Sequence, residues 1–146
     1  MKLSIGSDHA GFAYKEAIKE MLIANGHTVH DYGTTSTERA DYPDYAYLVA
    51  KSVASGESEY GVLVCGSGIG VSITANKVAG IRAANCITTE MAQLARAHNN
   101  ANVVCTGERL VSVHLAKEIV TTFITSQFED GRHTGRVEKI HTLTGC

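Results

Sequence analysis

The stretch that most limits what this chain can fold into is Gly61–Lys77, GVLVCGSGIGVSITANK. Val62, Leu63 and Val64 make a short continuous apolar run, the pattern of a strand buried on both faces. The run ends in Cys65. Gly66, Gly68 and Gly70 follow at alternate positions, and Val71 to Lys77 reads as the first turns of a helix. A strand that turns on glycines into a helix lets the backbone come close to a ligand and aims N–H groups at negative charge. A thiol stands at the mouth of that turn.

The rest of the chain repeats the alternation. Strands are predicted at Lys2–Ser7, Thr28–Asp31, Tyr60–Cys65, Ile81–Cys86 and Val103–Thr106. Helices are predicted at Phe12–Asn25, from Pro43 to about Ser55, from Thr88 or Thr89 to near His98, and over Ser112–Thr125. Gly26 is a C-terminal stop and Pro43 suits a first turn. Strand–helix alternation predicts a three-layer α/β/α fold, an open five-stranded parallel sheet of Rossmann-like type with helices on both faces. With 146 residues the chain suits one domain, 1–146, with a C-terminal helical tail over about 128–146.

In such sheets ligands collect beyond the carboxyl ends of the strands. Strand one ends at Asp8 and His9, strand three at Cys65 and the glycines, and strand five near Glu108 and Arg109. A formal net charge of −2 gives no reason to expect nucleic acid or a membrane surface as partner. No apolar run suits a signal peptide or a bilayer span, and the four cysteines show no CxxC spacing. A cytoplasmic chain with free thiols is the expectation.

The motif Gly66-Ser67-Gly68-Ile69-Gly70 is not the dinucleotide GxGxxG, and Asn85 and Cys86 end the next strand where an acidic residue would hold ribose. No Gly-Lys-Ser/Thr follows for a nucleotide loop. Val71 stands where a phosphatase-type cysteine loop needs arginine, and Cys65 where a receiver module needs aspartate. The turn alone reads equally as an anion site or as packing of helix against strand. Cys65, facing helix N–H groups, sits where thiolate is favoured, whereas Cys86 and Cys105 read as core. Asp8 could simply cap the first helix, and His98-Asn99 could be an ordinary helix end. Arg132 and Arg136, four apart, are either a solvated face or a two-pronged phosphate grip. His27, His30, His114 and His141 have no metal-ligand spacing, so no metal is predicted.

Taken together, Ser7-Asp8-His9-Ala10-Gly11-Phe12, Asp41-Tyr42-Pro43, Cys65 to Gly70 with Ala75-Asn76-Lys77, Gly80-Ile81-Arg82-Ala83, His98-Asn99, Gly107-Glu108-Arg109 and Gly131-Arg132-His133 with Arg136 resemble ribose-5-phosphate isomerase B and its relatives acting on allose 6-phosphate and galactose 6-phosphate. The resemblance implies metal-independent aldose–ketose isomerisation of a pentose phosphate, ribose 5-phosphate with ribulose 5-phosphate, without cofactor, and allose 6-phosphate or galactose 6-phosphate is the runner-up substrate. It implies Cys65 as base, Ser67 assisting, and the N–H groups of Gly66, Ser67, Gly68, Ile69 and Gly70 around the enediolate. It gives ring opening to His98, sugar hydroxyls to Asp8 and Asn99, and phosphate to His9, Arg109, Arg132 and Arg136. A non-catalytic sugar-phosphate-binding module is the alternative from another class. Chain direction adds one expectation. The helix ending at His98 must run back down the sheet, so His98 should lie at the opposite edge from Cys65, about 17–20 Å away. A shared site would then need a homo-oligomer, dimer or tetramer, with sites across the interface.

Overall fold

The computed structural model describes residues 1–146. Five strands, all parallel, form one sheet: β1 (Lys2–Ser7), β2 (Thr28–Asp31), β3 (Tyr60–Cys65), β4 (Ala83–Asn85) and β5 (Val103–Gly107), in the order β2-β1-β3-β5-β4. The helices are α1 (Phe12–Ala24), α2 (Tyr42–Ala54), α3 (Ile69–Ala75), α4 (Thr89–Asn99), α5 (Val113–Thr125) and α6 (Thr134–Thr144). The expected three-layer architecture is the one observed.

Strand alternation splits the core in two. Leu3, Ile5, Val62, Val64 and Val104 face α1, α4 and α5, where Ile18, Leu22, Ile119 and Phe123 meet them. Leu63, Cys65, Val103 and Cys105 point the other way, onto Val49, Val53, Val71 and Ala75 of α2 and α3. Period-two strands between two helix layers require this division. No helix is long and apolar enough to cross a membrane.

Three boundaries differ from the sequence reading by more than a residue. The fourth strand spans Ala83–Asn85 rather than Ile81–Cys86, because it pairs only with β5 at the sheet edge. α3 begins at Ile69, two residues early, because Gly68 takes a left-handed φ of 78° and starts the helix at once. The tail is α-helical only over Thr134–Thr144, and Arg132 lies before it in a 3₁₀ turn, Gly131–His133. Arg132 and Arg136 therefore do not share one α-helical face.

Strand order positions the site. β2 and β3 lie on opposite sides of β1, so the chain reverses direction between β1 and β3. A crevice opens at such a switch point beyond the carboxyl ends of the strands. β5, inserted beside β3, brings its own carboxyl-end loop to the same place.

Candidate active site

Cys65 ends β3 and is 5% exposed. The N–H of Gly68 donates to its Sγ at 3.0 Å. That bond exists because the chain bends back over the thiol, with Gly68 at positive φ and Ser67 crossing Gly107. A Cβ on Gly107 would stand 2.6 Å from the Ser67 backbone, and one on Gly68 would stand 2.1 Å from Asn85 Oδ1. The turn is thus closed to side chains on steric grounds as well as by its φ. Ser67 Oγ accepts from the Ile69 N–H at 3.3 Å, and Asn85 Nδ2 donates to the Ser67 carbonyl at 3.3 Å. The remaining N–H groups of the first turn of α3 have no partner inside the helix.

A cleft of about 350 Å³ opens over the thiol, lined by Asp8, His9, Tyr42, Cys65, Ser67 and Arg109 among others. Asp8 is buried, and its Oδ1 accepts from the Gly11 N–H at 3.1 Å. His9 is exposed, and its Nδ1 meets the backbone of Ala40 at 3.1–3.2 Å. Arg109 reaches the cleft because the β5 loop is stitched to the glycine turn. Glu108 N–H donates to the Cys65 carbonyl at 2.9 Å, and Arg109 N–H to the Gly66 carbonyl at 3.0 Å. The Arg109 guanidinium then lies 3.1 Å from where a Gly66 Cβ would be.

The loop beside this cleft hangs on a half-buried ion cluster around one buried lysine. Lys15 is fully buried and lies 2.5 Å from both Asp31 Oδ2 and Glu16 Oε1, while Lys19 contacts the same two carboxylates at 2.6–2.7 Å. Burial alone would raise the Asp31 pKa, but Lys15, Lys19 and the Gly33 N–H outweigh it and hold the carboxyl below its ordinary value. Asp31 Oδ1 accepts from the Gly33 N–H, and Gly33 and Thr34 bond to Ser7 at 2.6 and 2.7 Å. The segment from Tyr32 to Tyr42 is thereby fixed beside Asp8 and His9.

The other expected residues lie elsewhere. His98 is in the last turn of α4, and the chain enters β5 only at Val103, the residue paired with Gly61 at the start of β3. His98 is therefore at the amino edge of the sheet, the far edge from Cys65. Asn99 lines a second cleft of about 440 Å³ with Asn76, Arg82 and His141. Arg132 is exposed beside His133, and Arg136 is exposed in the first turn of α6. One edge gathers Cys65, Ser67, Gly66, Gly68, Ile69, Gly70, Asp8, His9 and Arg109. The other carries His98, Asn99, Arg132 and Arg136.

The Ribose/Galactose Isomerase family model matches residues 3–140. This chain belongs to the ribose/galactose isomerase family. It is 50% identical over 142 residues to ribose-5-phosphate isomerase B of Escherichia coli, covering 97% of this chain and 95% of that one. The solved ribose-5-phosphate isomerase B of Clostridium thermocellum superposes with a TM-score of 0.98 at 47% identity, over 99% of this chain and 98% of that one. The enzyme of that name from Mycoplasma genitalium, solved with bound ribulose 5-phosphate, gives a TM-score of 0.95 at 40% identity over 99% and 96% of the two chains.

Within this family fold, two groups escaped assignment from sequence. Tyr42 lines the cleft, and a Cβ on Gly70 would stand 2.7 Å from its ring, so Gly70 makes room for it. His133 and Glu129 gather at His98, with ligand-type atoms within 4.8 Å of one another. No spacing rule joins a helix end to a tail some thirty residues later, so nothing in the sequence pattern signals this second cluster.

Proposed function

We propose that the protein interconverts ribose 5-phosphate and ribulose 5-phosphate through an enediolate, with Cys65 as the base. The observation that carries this reading is the Gly68 N–H on Cys65 Sγ at the floor of the cleft. That donor is aimed at the sulfur, and the neighbouring turn offers further N–H groups to oxygen. Cys65 thiolate takes the C2 proton of the open aldose, and the electrons move onto O1. The thiol then returns the proton to C1 while the O2 hydroxyl proton passes to O1, leaving the carbonyl at C2. Ser67 and the N–H groups of Gly66 to Gly70 hold the oxygens that gain charge. Asp8 holds a sugar hydroxyl.

His98 opens the furanose, giving a proton to the ring oxygen as the C1–O bond breaks and the C1 hydroxyl loses its proton to water. Since His98 and Cys65 stand at opposite edges of one sheet, His98 and Asn99 come from a second copy, with Arg132 and Arg136 meeting His9 and Arg109 around the phosphate. Exposed Ile69 and Ile73 on α3 and Met91 and Leu94 on α4 are apolar surface that a second copy would cover. Free thiols at all four cysteines suit a reducing compartment, the cytoplasm.

The experiment is a coupled assay of the purified protein on ribose 5-phosphate, allose 6-phosphate and galactose 6-phosphate. Preferred turnover of the pentose is expected. Preferred turnover of a hexose phosphate would reassign the substrate, and binding of all three without turnover would make this a sugar-phosphate-binding module.

A further inference from the structure

His98 does not stand alone at its edge. Its ring stacks on that of His133, with centroids 4.3 Å apart and planes 10° from parallel. Glu129 Oε2 lies 3.6 Å from His98 Nε2 and 3.8 Å from His133 Nε2. Arg132 Nε sits 3.5 Å from that same His133 nitrogen. The backbone ties these segments together, for the Glu129 N–H donates to the Ala97 carbonyl at 3.0 Å. The end of α4 is itself clamped. Arg82 donates from Nε and Nη2 to the Asn100 carbonyl, and Arg96 Nη1 donates to Asn100 Oδ1 and the Ala101 carbonyl.

Two histidines and a glutamate resemble a metal-ligand set, but the geometry argues otherwise. In-plane lone pairs of parallel, stacked rings run side by side and do not converge on one ion, as a tetrahedral site needs. A guanidinium also stands on the nitrogen that a metal would require. What the cluster fits is one proton. Two touching imidazoles resist carrying two charges, and one carboxylate balances one. His133 is 7% exposed against 37% for His98. Burial first, then His98, Arg132 and Arg136, push the His133 imidazole below its ordinary range, with Glu129 opposing.

We propose that His133 and Glu129 are positioning residues for His98. The neutral His133 ring fixes the plane of His98 by stacking, Glu129 balances the single proton of the pair, and His98 delivers that proton to the ring oxygen of the sugar. The proposal rests on the reading of His98 as the ring-opening group.

The two halves of the reaction separate chemically. Ribulose 5-phosphate has its O5 blocked by phosphate and cannot close a five-membered ring, so exchange of its C1 hydrogen with solvent deuterium needs the base and no ring opening. Glu129→Gln and His133→Ala are expected to lower ribose 5-phosphate turnover by about ten- to a hundredfold, the scale of a misplaced catalytic group. Deuterium wash-in at C1 of ribulose 5-phosphate should stay within about twofold, given that the base is untouched. His133→Phe, a flat uncharged ring, should recover most of what His133→Ala loses. In the unliganded protein, His98→Asn should move the NMR titration of His133 to higher pH.

Equal losses in both assays, no loss in either, or a His133 titration indifferent to His98 would each overturn the proposal. Glu129 is exposed, so Glu129→Gln keeps the test open if the buried His133→Ala fails to fold. His98→Asn is the control for the underlying reading, and it should lose ribose 5-phosphate turnover while keeping the wash-in. If it spares both assays, His98 is not the ring-opening group and the underlying reading falls; if it loses turnover while Glu129→Gln and His133→Ala do not, the proposal alone falls.

Discussion

The two edges of the sheet are built in different ways. At the carboxyl edge the site is made by backbone. Gly68 turns the chain over Cys65, Gly107 lets Ser67 cross β5, and the β5 loop bonds straight to the Cys65 and Gly66 carbonyls. At the amino edge the cluster is made by side chains gathered from distant segments, with His98 from the end of α4 and Glu129, Arg132 and His133 from the tail. The first arrangement is fixed by close packing, which tolerates almost no substitution. The second leaves its groups, apart from the buried His133, exposed or half-exposed on a surface. A preorganised cradle suits charge that develops in the transition state, and an exposed edge suits groups that must meet a substrate held mostly by another chain.

The largest effect should come from the carboxyl edge. Cys65→Ala is expected to cut turnover by a hundredfold or more, the usual scale for a general base, while leaving sugar-phosphate affinity nearly unchanged. A rate assay with titration calorimetry checks this, and retention of a tenth of wild-type turnover would remove the thiol from the base's role. Gly68→Ala tests the cradle without touching the thiol. Its Cβ meets Asn85 Oδ1 at 2.1 Å and backbone at 2.9 Å, at a φ of 78°. We expect turnover to fall by roughly a hundredfold as the N–H donor leaves Sγ, the scale of one lost oxyanion-type donor. Unaltered kcat in a folded variant would mean that the Gly68 donor is idle.

The tail arginines of the amino edge should respond in affinity rather than rate. Arg136→Ala is expected to weaken substrate by roughly ten- to a hundredfold, from a charge-assisted contact of about 1.5–3 kcal/mol. Inorganic phosphate should compete in the wild type. An unchanged KM together with no phosphate inhibition would take the tail arginines out of the site.

The smallest effect is one of stability with pH. The folded-state pKa values of Asp31 and Glu16 are lowered: burial opposes this, and the lysine contacts prevail. Their contribution is therefore present above the unfolded carboxylate range, about pH 4, and is lost as pH falls through the still lower folded values. Lys19 is raised in the same way against its own burial, so its share is present below the unfolded lysine value and is lost at high alkaline pH. Thermal melts should show Asp31→Asn less stable than wild type at neutral pH, with the gap closing as pH drops below about 4. A gap independent of pH would mean that the Lys15 cluster contributes packing only.

The same contrast explains what could be read from sequence. The carboxyl-edge turn was legible because local residues make it: an apolar run, a thiol and three glycines within ten positions. The alternation of strands with helices gave the layers. Strand order was not legible, since nothing local says that β5 inserts between β3 and β4, and that insertion is what carries Arg109 to Gly66. Lys15 drew no reading from sequence, yet it shares the buried stripe of α1 with Ile18 and Leu22 at i+3 and i+7. That spacing, with an aspartate ending β2, was the available signal. Glu129, and the stacking of His133 on His98, became visible only in three dimensions. Placement of His98 at the far edge, by contrast, followed from chain direction alone, because a parallel neighbour obliges α4 to run back down the sheet.

That placement carries the central claim, that Cys65 of one copy and His98 of another serve one sugar phosphate. The direct measurement is complementation. Cys65→Ala and His98→Ala chains are mixed by co-refolding, and mixed dimers are verified by mass. In a two-fold assembly with shared sites, each mixed dimer holds one doubly damaged site and one intact site, so random pairing should restore roughly a quarter of wild-type ribose 5-phosphate turnover. If both residues act within one chain, every site carries one lesion, and mixed dimers as inactive as their parents would contradict the account.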